Sequence, residues 1–183
     1  VRDDPALLEK AFREAAASAD VVVTSGGVSV GEADFVKDLM GKLGEVVFWK
    51  IAMKPGRPLA YGRIQGAHFF GLPGNPVSVM VTFYQFVREA LLTLMGVDPL
   101  PPAPAFPATC TARLRKAPGR TEFQRGVLER AADGAWTVRP TGDQGSGILK
   151  SMSEANCFII LGESVGNVEA GSVVQVQPLE GLV

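Results

Sequence analysis

Apolar residues near the start of the chain recur every three to four positions. Leu7, Leu8, Ala11, Phe12 and Ala15 share one face of a predicted helix. Asp3 and Asp4 before Pro5 supply an N-cap and a first-turn proline for it. The period then shortens: Val21 to Thr24 ("VVVT") is a β-branched run that reads as a buried strand. Phe35, Val36, Leu39, Met40 and Leu43 restore the helical spacing, and Gly44 ends it. "EVVFWKIAM" reads as a strand broken by "KPGRP". "LAYGRI" and "AHFFGL" read as two more strands around a Gln65-Gly66 turn. Pro76 to Met95 is a long, mostly apolar helix.

Helices alternating with short apolar strands predict a layered α/β domain with a mostly parallel sheet, truncated at its N-terminus, over residues 1–98. The segment from Val97 to Pro107 contains five prolines and can continue neither a helix nor a central strand. It reads as a linker. Beyond it, short β-rich pieces separated by glycine turns predict a small all-β, barrel-like domain over residues 106–183.

Composition narrows the picture. A net charge of −1 gives no global basic field, so nucleic acid is not an expected partner. The longest apolar stretch, "VSVMVTFYQFV", is broken by polar residues and is too short to span a bilayer, so no membrane partner is expected either. Cys110 and Cys157 lack metal-ligand spacing, which fits a reducing, cytoplasmic setting. The chain lacks an initiator Met and reads as a fragment.

Three stretches carry candidate chemistry. "SGGVSVG" follows a strand and precedes a helix. Gly26 and Gly27 let the backbone approach an anion, and Ser25 and Ser29 add hydroxyls; the bland alternative is a glycine-rich turn with a capping serine. "FWKIAMKPGRP" places Lys50, Lys54 and Arg57 within eight residues beside a proline-rigid turn, where three cations suit an anionic ligand. "GLPGNPVS" puts Gly74, Asn75 and Pro76 at another helix start, with Ser78 in its first turn. Asp34 and Asp3 are the candidate acids. Among phosphate-binding signals, Asp34 could hold Mg²⁺ against an anion; by itself it reads as a helix cap. Beyond the linker, Arg120, Arg125, Ser146, Ser151 and Ser153 could add a second anion-binding wall, or only turn chemistry.

Taken in series, "TSGGVSVGEADF", "FWKIAMKPGRPLAYG", "GLPGNPVSVMVTFYQF" and "GRTEFQRG…QGSGILKSMSEAN" resemble the molybdopterin molybdenumtransferase family, which includes the C-terminal part of gephyrin. The resemblance implies an enzyme that takes adenylylated molybdopterin and molybdate, releases AMP with the help of Mg²⁺, and leaves molybdenum on the dithiolene. It assigns the loop to Ser25 to Gly31 and the functional acid to Asp34. Lys50 and Lys54 are the paired lysines, Pro73 and Pro76 the loop prolines, and Asp3 a further acid. Arg57 stands where the family often has Lys. The family's preceding domains and first strand-and-helix unit are missing from this sequence, and the resemblance implies a homodimer for the full-length enzyme. A non-catalytic molybdopterin-binding or scaffold module is the rival reading.

Overall fold

The computed structural model describes residues 4–26, 39 and 41–179, apart from the side chains of Phe48 and Trp49. It falls into two compact units. The first takes the chain up to Ile51 and Gly56–Phe83; the second takes Ala52–Pro55 and the chain from Tyr84 onward.

Helix α1 (Pro5–Ser18) begins as its sequence requires. The Asp4 carboxylate accepts the Leu7 N–H at 3.0 Å, and Pro5 fills the first turn. The strands that follow are β1 (Val21–Ser25), β2 (Gly44–Lys50), β3 (Met53–Lys54), β4 (Pro58–Ile64) and β5 (Ala67–Leu72). β1, β5, β4 and β2, in that order, form the sheet of the first unit. Among these strands only β1 and β5 run parallel, with Val21 beside His68 and Ser25 beside Leu72. The β5–β4 and β4–β2 pairs are antiparallel. The α/β layering is as expected, but the sheet is mixed where a mostly parallel one was expected. The reason is local. Gln65 and Gly66, both at positive φ (50° and 95°), form a two-residue turn, and so short a loop can join only antiparallel neighbours.

Alternation along the strands makes one face of this sheet apolar. Val22, Ala60, Ile64, Ala67 and Phe69 are buried there with Leu39 and Leu43, and Leu8, Phe12, Ala15 and Ala16 of α1 cover them. Phe12 meets Phe69 edge-on at 5.8 Å. Because β4 runs against its neighbours, the ends of β1, β5 and β2 and the start of β4 share one edge of the sheet.

Helix α2 (Pro76–Leu94) has a π-helical stretch at Phe83–Val87. Its 19 residues would suffice, by length and composition, to cross a bilayer. Val77, Val81 and Val87 are fully buried within the protein, but most of the helix is not, with 28% of its apolar 18-residue window buried.

In the second unit, β6 (Phe106–Cys110), β7 (Thr121–Arg130), β8 (Trp136–Pro140), β9 (Cys157–Leu161) and β10 (Val173–Pro178) close into a five-stranded barrel, ordered β7-β8-β6-β10-β9 and back to β7. Its interior holds Cys110, Val138, Cys157, Ile159 and Val176. Burial pushes the Cys157 thiol up to about 12, so it packs as a small apolar group. The barrel-like expectation holds, and the unit's short helix α3 (Leu149–Ser153) is five residues long.

β7 changes partners at Gly126, which lies opposite Pro140 of β8 and Cys157 of β9. A Cβ there would stand 2.9 Å from Ile159 Cγ1 and 3.0 Å from both Cys157 Sγ and Val138 Cγ2. Gly126→Ala is therefore expected to cost about 1–3 kcal/mol by overpacking the barrel interior. Urea unfolding measures it; an unshifted midpoint would show that the corner has room for a methyl group.

Candidate functional site

The shared edge of the first sheet gathers Ser25, Gly26, Lys50, Arg57 and residues 73–78 among the expected residues. Ser25 ends β1 and its neighbour Leu72 ends β5. The Gly26 N–H donates to the Leu72 carbonyl at 3.0 Å, and the Ser25 hydroxyl donates to the Pro73 carbonyl at 3.2 Å. A Cβ on Gly74 would lie 3.6 Å from the Gly26 Cα. The loops after β1 and β5 are thus tied together. This alters the expected role of two residues: the Gly26 amide and the Ser25 hydroxyl proton hold the two loops to each other instead of standing free for an anion. Gly26, at φ +90°, occupies a conformation that disfavours any side chain.

Asn75 sits at the N-cap of α2 and Pro76 in its first turn. Val79 N–H donates to the Asn75 carbonyl, but the Asn75 side chain makes no capping bond. The amides of Val77 and Ser78 have no preceding turn to bond to, so the positive end of the helix dipole lies at this edge. Gly74 and Asn75 are exposed, while Pro73 and Ser78 are buried.

Lys50 ends β2 opposite Pro58, and Arg57 immediately precedes β4; both are exposed. The Ile51 N–H donates to the Arg57 carbonyl at 2.8 Å, closing the loop between them at its base. With about 4.8 Å between neighbouring strands, Lys50 and Ser25 lie roughly 14 Å apart along the edge.

Lys54 is placed differently. "EVVFWKIAM" is not one strand: the chain leaves the sheet after Lys50, and β3 pairs parallel with β7 in the second unit. There the Lys54 ammonium lies 3.2 Å from Glu122 Oε1. Glu122 was not anticipated, because "GRTEFQRG" reads as a polar turn. It belongs to β7, where Glu122, Gln124 and Leu128 share the inward alternation. An acid on an inward phase of a strand was the signal that could have found it.

Arg120 is exposed. Ser151 is buried, and its hydroxyl accepts the Arg125 Nε–H at 3.0 Å while donating to the Ile148 carbonyl at 2.7 Å. The other guanidinium donors of Arg125 reach the carbonyls of Asp143, Gln144 and Gly145. Burial lowers the Arg125 pKa from its ordinary value. The Arg125–Ser151 pair clamps the loop ahead of α3.

Asp3, Gly27, Ser29, Gly31 and Asp34 lie outside the described residues. Among the described residues no group of three His, Cys, Asp or Glu side chains could hold a metal ion. The described residues therefore do not make a Mg²⁺ site.

An α/β sheet that collects polar loops at one edge, followed by a closed five-stranded barrel, defines the class of protein. The chain belongs to the family described as probable molybdopterin binding domain, which matches residues 1–93. Residues 107–179 match the MoeA C-terminal region (domain IV). The chain is 48% identical over 181 residues to a molybdopterin molybdenumtransferase of Haemophilus influenzae, covering 99% of this chain and 45% of that protein. It is 33% identical to gephyrin of Dictyostelium discoideum, covering 92% of this chain and 26% of that protein. The crystal structure of a molybdopterin biosynthesis moeA protein from Pyrococcus horikoshii superposes with a TM-score of 0.78 at 31% identity, covering 98% of this chain and 42% of that one. The chain thus spans less than half the length of these relatives.

Proposed function

We propose that this chain is the molybdopterin-handling part of a molybdopterin molybdenumtransferase, a transferase of molybdenum cofactor biosynthesis. Its reaction inserts molybdenum from molybdate into adenylylated molybdopterin and releases AMP. One observation carries the reading: the tied loops after β1 and β5, the start of α2, Lys50 and Arg57 occupy one edge of one sheet. A site spread over roughly 14 Å is wider than a lone phosphate needs and suits an extended ligand with several anionic groups. Molybdate, a dianion, and the substrate pyrophosphate both require such donors.

In this proposal the first-turn amides of α2 bind phosphate oxygens, and Lys50 and Arg57 neutralise charge that grows as the adenylyl bond breaks. Gly74, without a side chain, leaves the helix start open. Lys54 is the second of the paired lysines assigned by resemblance. Asp34 and Asp3 are the acids assigned by resemblance, with Mg²⁺ as the ion they would hold. A homodimeric full-length enzyme and a cytoplasmic location belong to the same proposal.

The test is a titration of adenylylated molybdopterin into the chain, with molybdate and Mg²⁺ present, following both binding and AMP. Saturable binding with AMP release is expected. Binding without release would favour the non-catalytic molybdopterin-binding module, and absence of binding would overturn the assignment.

A further inference from the structure

Lys54 takes its position from the barrel. Its strand β3 is two residues long and lies against β7, with Met53 beside Thr121 and Lys54 beside Glu122. The Thr121 N–H donates to the Ala52 carbonyl at 3.0 Å, fixing the backbone just before β3. The side chains repeat the arrangement. Lys54 Nζ is 3.2 Å from Glu122 Oε1, Gln124 Nε2 donates to Glu122 Oε2 at 3.1 Å, and the same amide donates to the Arg115 carbonyl at 2.9 Å.

The two partners are unequal. The Glu122 side chain is 5% exposed and that of Lys54 45%. An exposed pair of this type would fix little, because both side chains would move. Here the acid is buried and gripped from behind, so one carboxylate oxygen is presented at a set point. The ammonium keeps two further N–H donors for something else. We propose that Glu122 is a positioning residue for Lys54, with Gln124 holding the carboxylate in place. This is the arrangement by which partners behind a functional group set its orientation. Its bearing on the reaction rests on the ligand role given to Lys54 above.

Residue-resolved acetylation by N-hydroxysuccinimidyl acetate, read by mass spectrometry on this chain, tests it. Releasing the ammonium in Glu122→Gln is expected to speed Lys54 labelling roughly three- to tenfold, less than a fully buried charge-assisted bond because the ammonium is half exposed, with Lys50 unchanged. Glu122→Asp keeps the charge but withdraws the carboxylate by one methylene, so its rate should fall between wild type and Glu122→Gln. Should Glu122→Gln not fold, Gln124→Met tests the same grip, with about a twofold rise expected because the carboxylate is loosened but not removed. A purely structural role would move the melting temperature, or both lysines together, but not Lys54 alone. An unchanged Lys54 rate in a folded variant would overturn the proposal. Inorganic pyrophosphate, added to wild type, separates the two readings. It should slow Lys54 labelling if the lysine meets the ligand. Failure to do so would overturn the ligand role while leaving the Glu122 grip standing.

Discussion

Arg125→Leu is expected to destabilise the second unit by about 3 kcal/mol, the summed cost of several stranded buried polar groups. Arg125 is 1% exposed, and its guanidinium has no carboxylate partner among the described residues. It is held instead by the Ser151 hydroxyl and three consecutive carbonyls, of Asp143, Gln144 and Gly145. Leu would spare the desolvation of a charge, but it would leave those acceptors unmatched, and removing one partner costs more than removing both. The backbone supports the same loop: Arg125 N–H donates to Gln144 Oε1 at 2.7 Å, and Gln144 returns a bond to the Arg125 carbonyl at 3.1 Å. Arg125→Lys keeps the charge and loses the planar fork, so its loss should be smaller, about 1–2 kcal/mol. Urea unfolding followed through Trp136 on β8 measures both variants. Equal loss in the two would show that the fork is immaterial, and no loss in Arg125→Leu would remove the clamp.

Much of this fold was legible where one local rule dominates. Asp4-Pro5 announces the start of α1, Gln65-Gly66 the turn between β4 and β5, and Asn75-Pro76 the start of α2. The mixed sheet was less legible. Apolar runs such as "VVVT" and "AHFFGL" do not encode direction, which depends on the length of each connection. The path of β3 was hidden for a related reason. "FWKIAMK" is uniformly strand-like, and the exchange at Ile51 depends on a partner, Thr121, seventy residues away.

The candidate site divides along the same line. Lys50, Arg57 and Gly74 could be named from sequence because exposed basic groups and loop glycines act through their own chemistry. The use of the Ser25 hydroxyl and the Gly26 amide could not, since both depend on the end of β5 lying alongside. Arg125 and Ser151 read as polar turn residues, yet Arg125 lies on the face of β7 opposite Glu122 and Gln124, where the loop ahead of α3 covers it and makes the pair a clamp. Polarity revealed where bonds would be needed, but the acceptors came from strands distant in sequence.

Lys50→Ala carries the largest expected effect on function. Lys50 is exposed at the end of β2, so its removal should leave stability within about 0.5 kcal/mol of wild type. If it neutralises charge that develops as the adenylyl bond breaks, AMP release should fall about a hundredfold, or roughly 3 kcal/mol of barrier. Molybdopterin binding should weaken far less, because the start of α2 and Arg57 remain. Lys50→Arg, which keeps the charge, should recover part of the rate. The opposing case has a different signature: a lysine that only attracts the anionic ground state would raise KM and leave kcat unchanged. Steady-state AMP release at saturating adenylylated molybdopterin separates the two. A wild-type kcat in Lys50→Ala would take Lys50 out of the chemistry and leave it as one of the groups that gather the ligand.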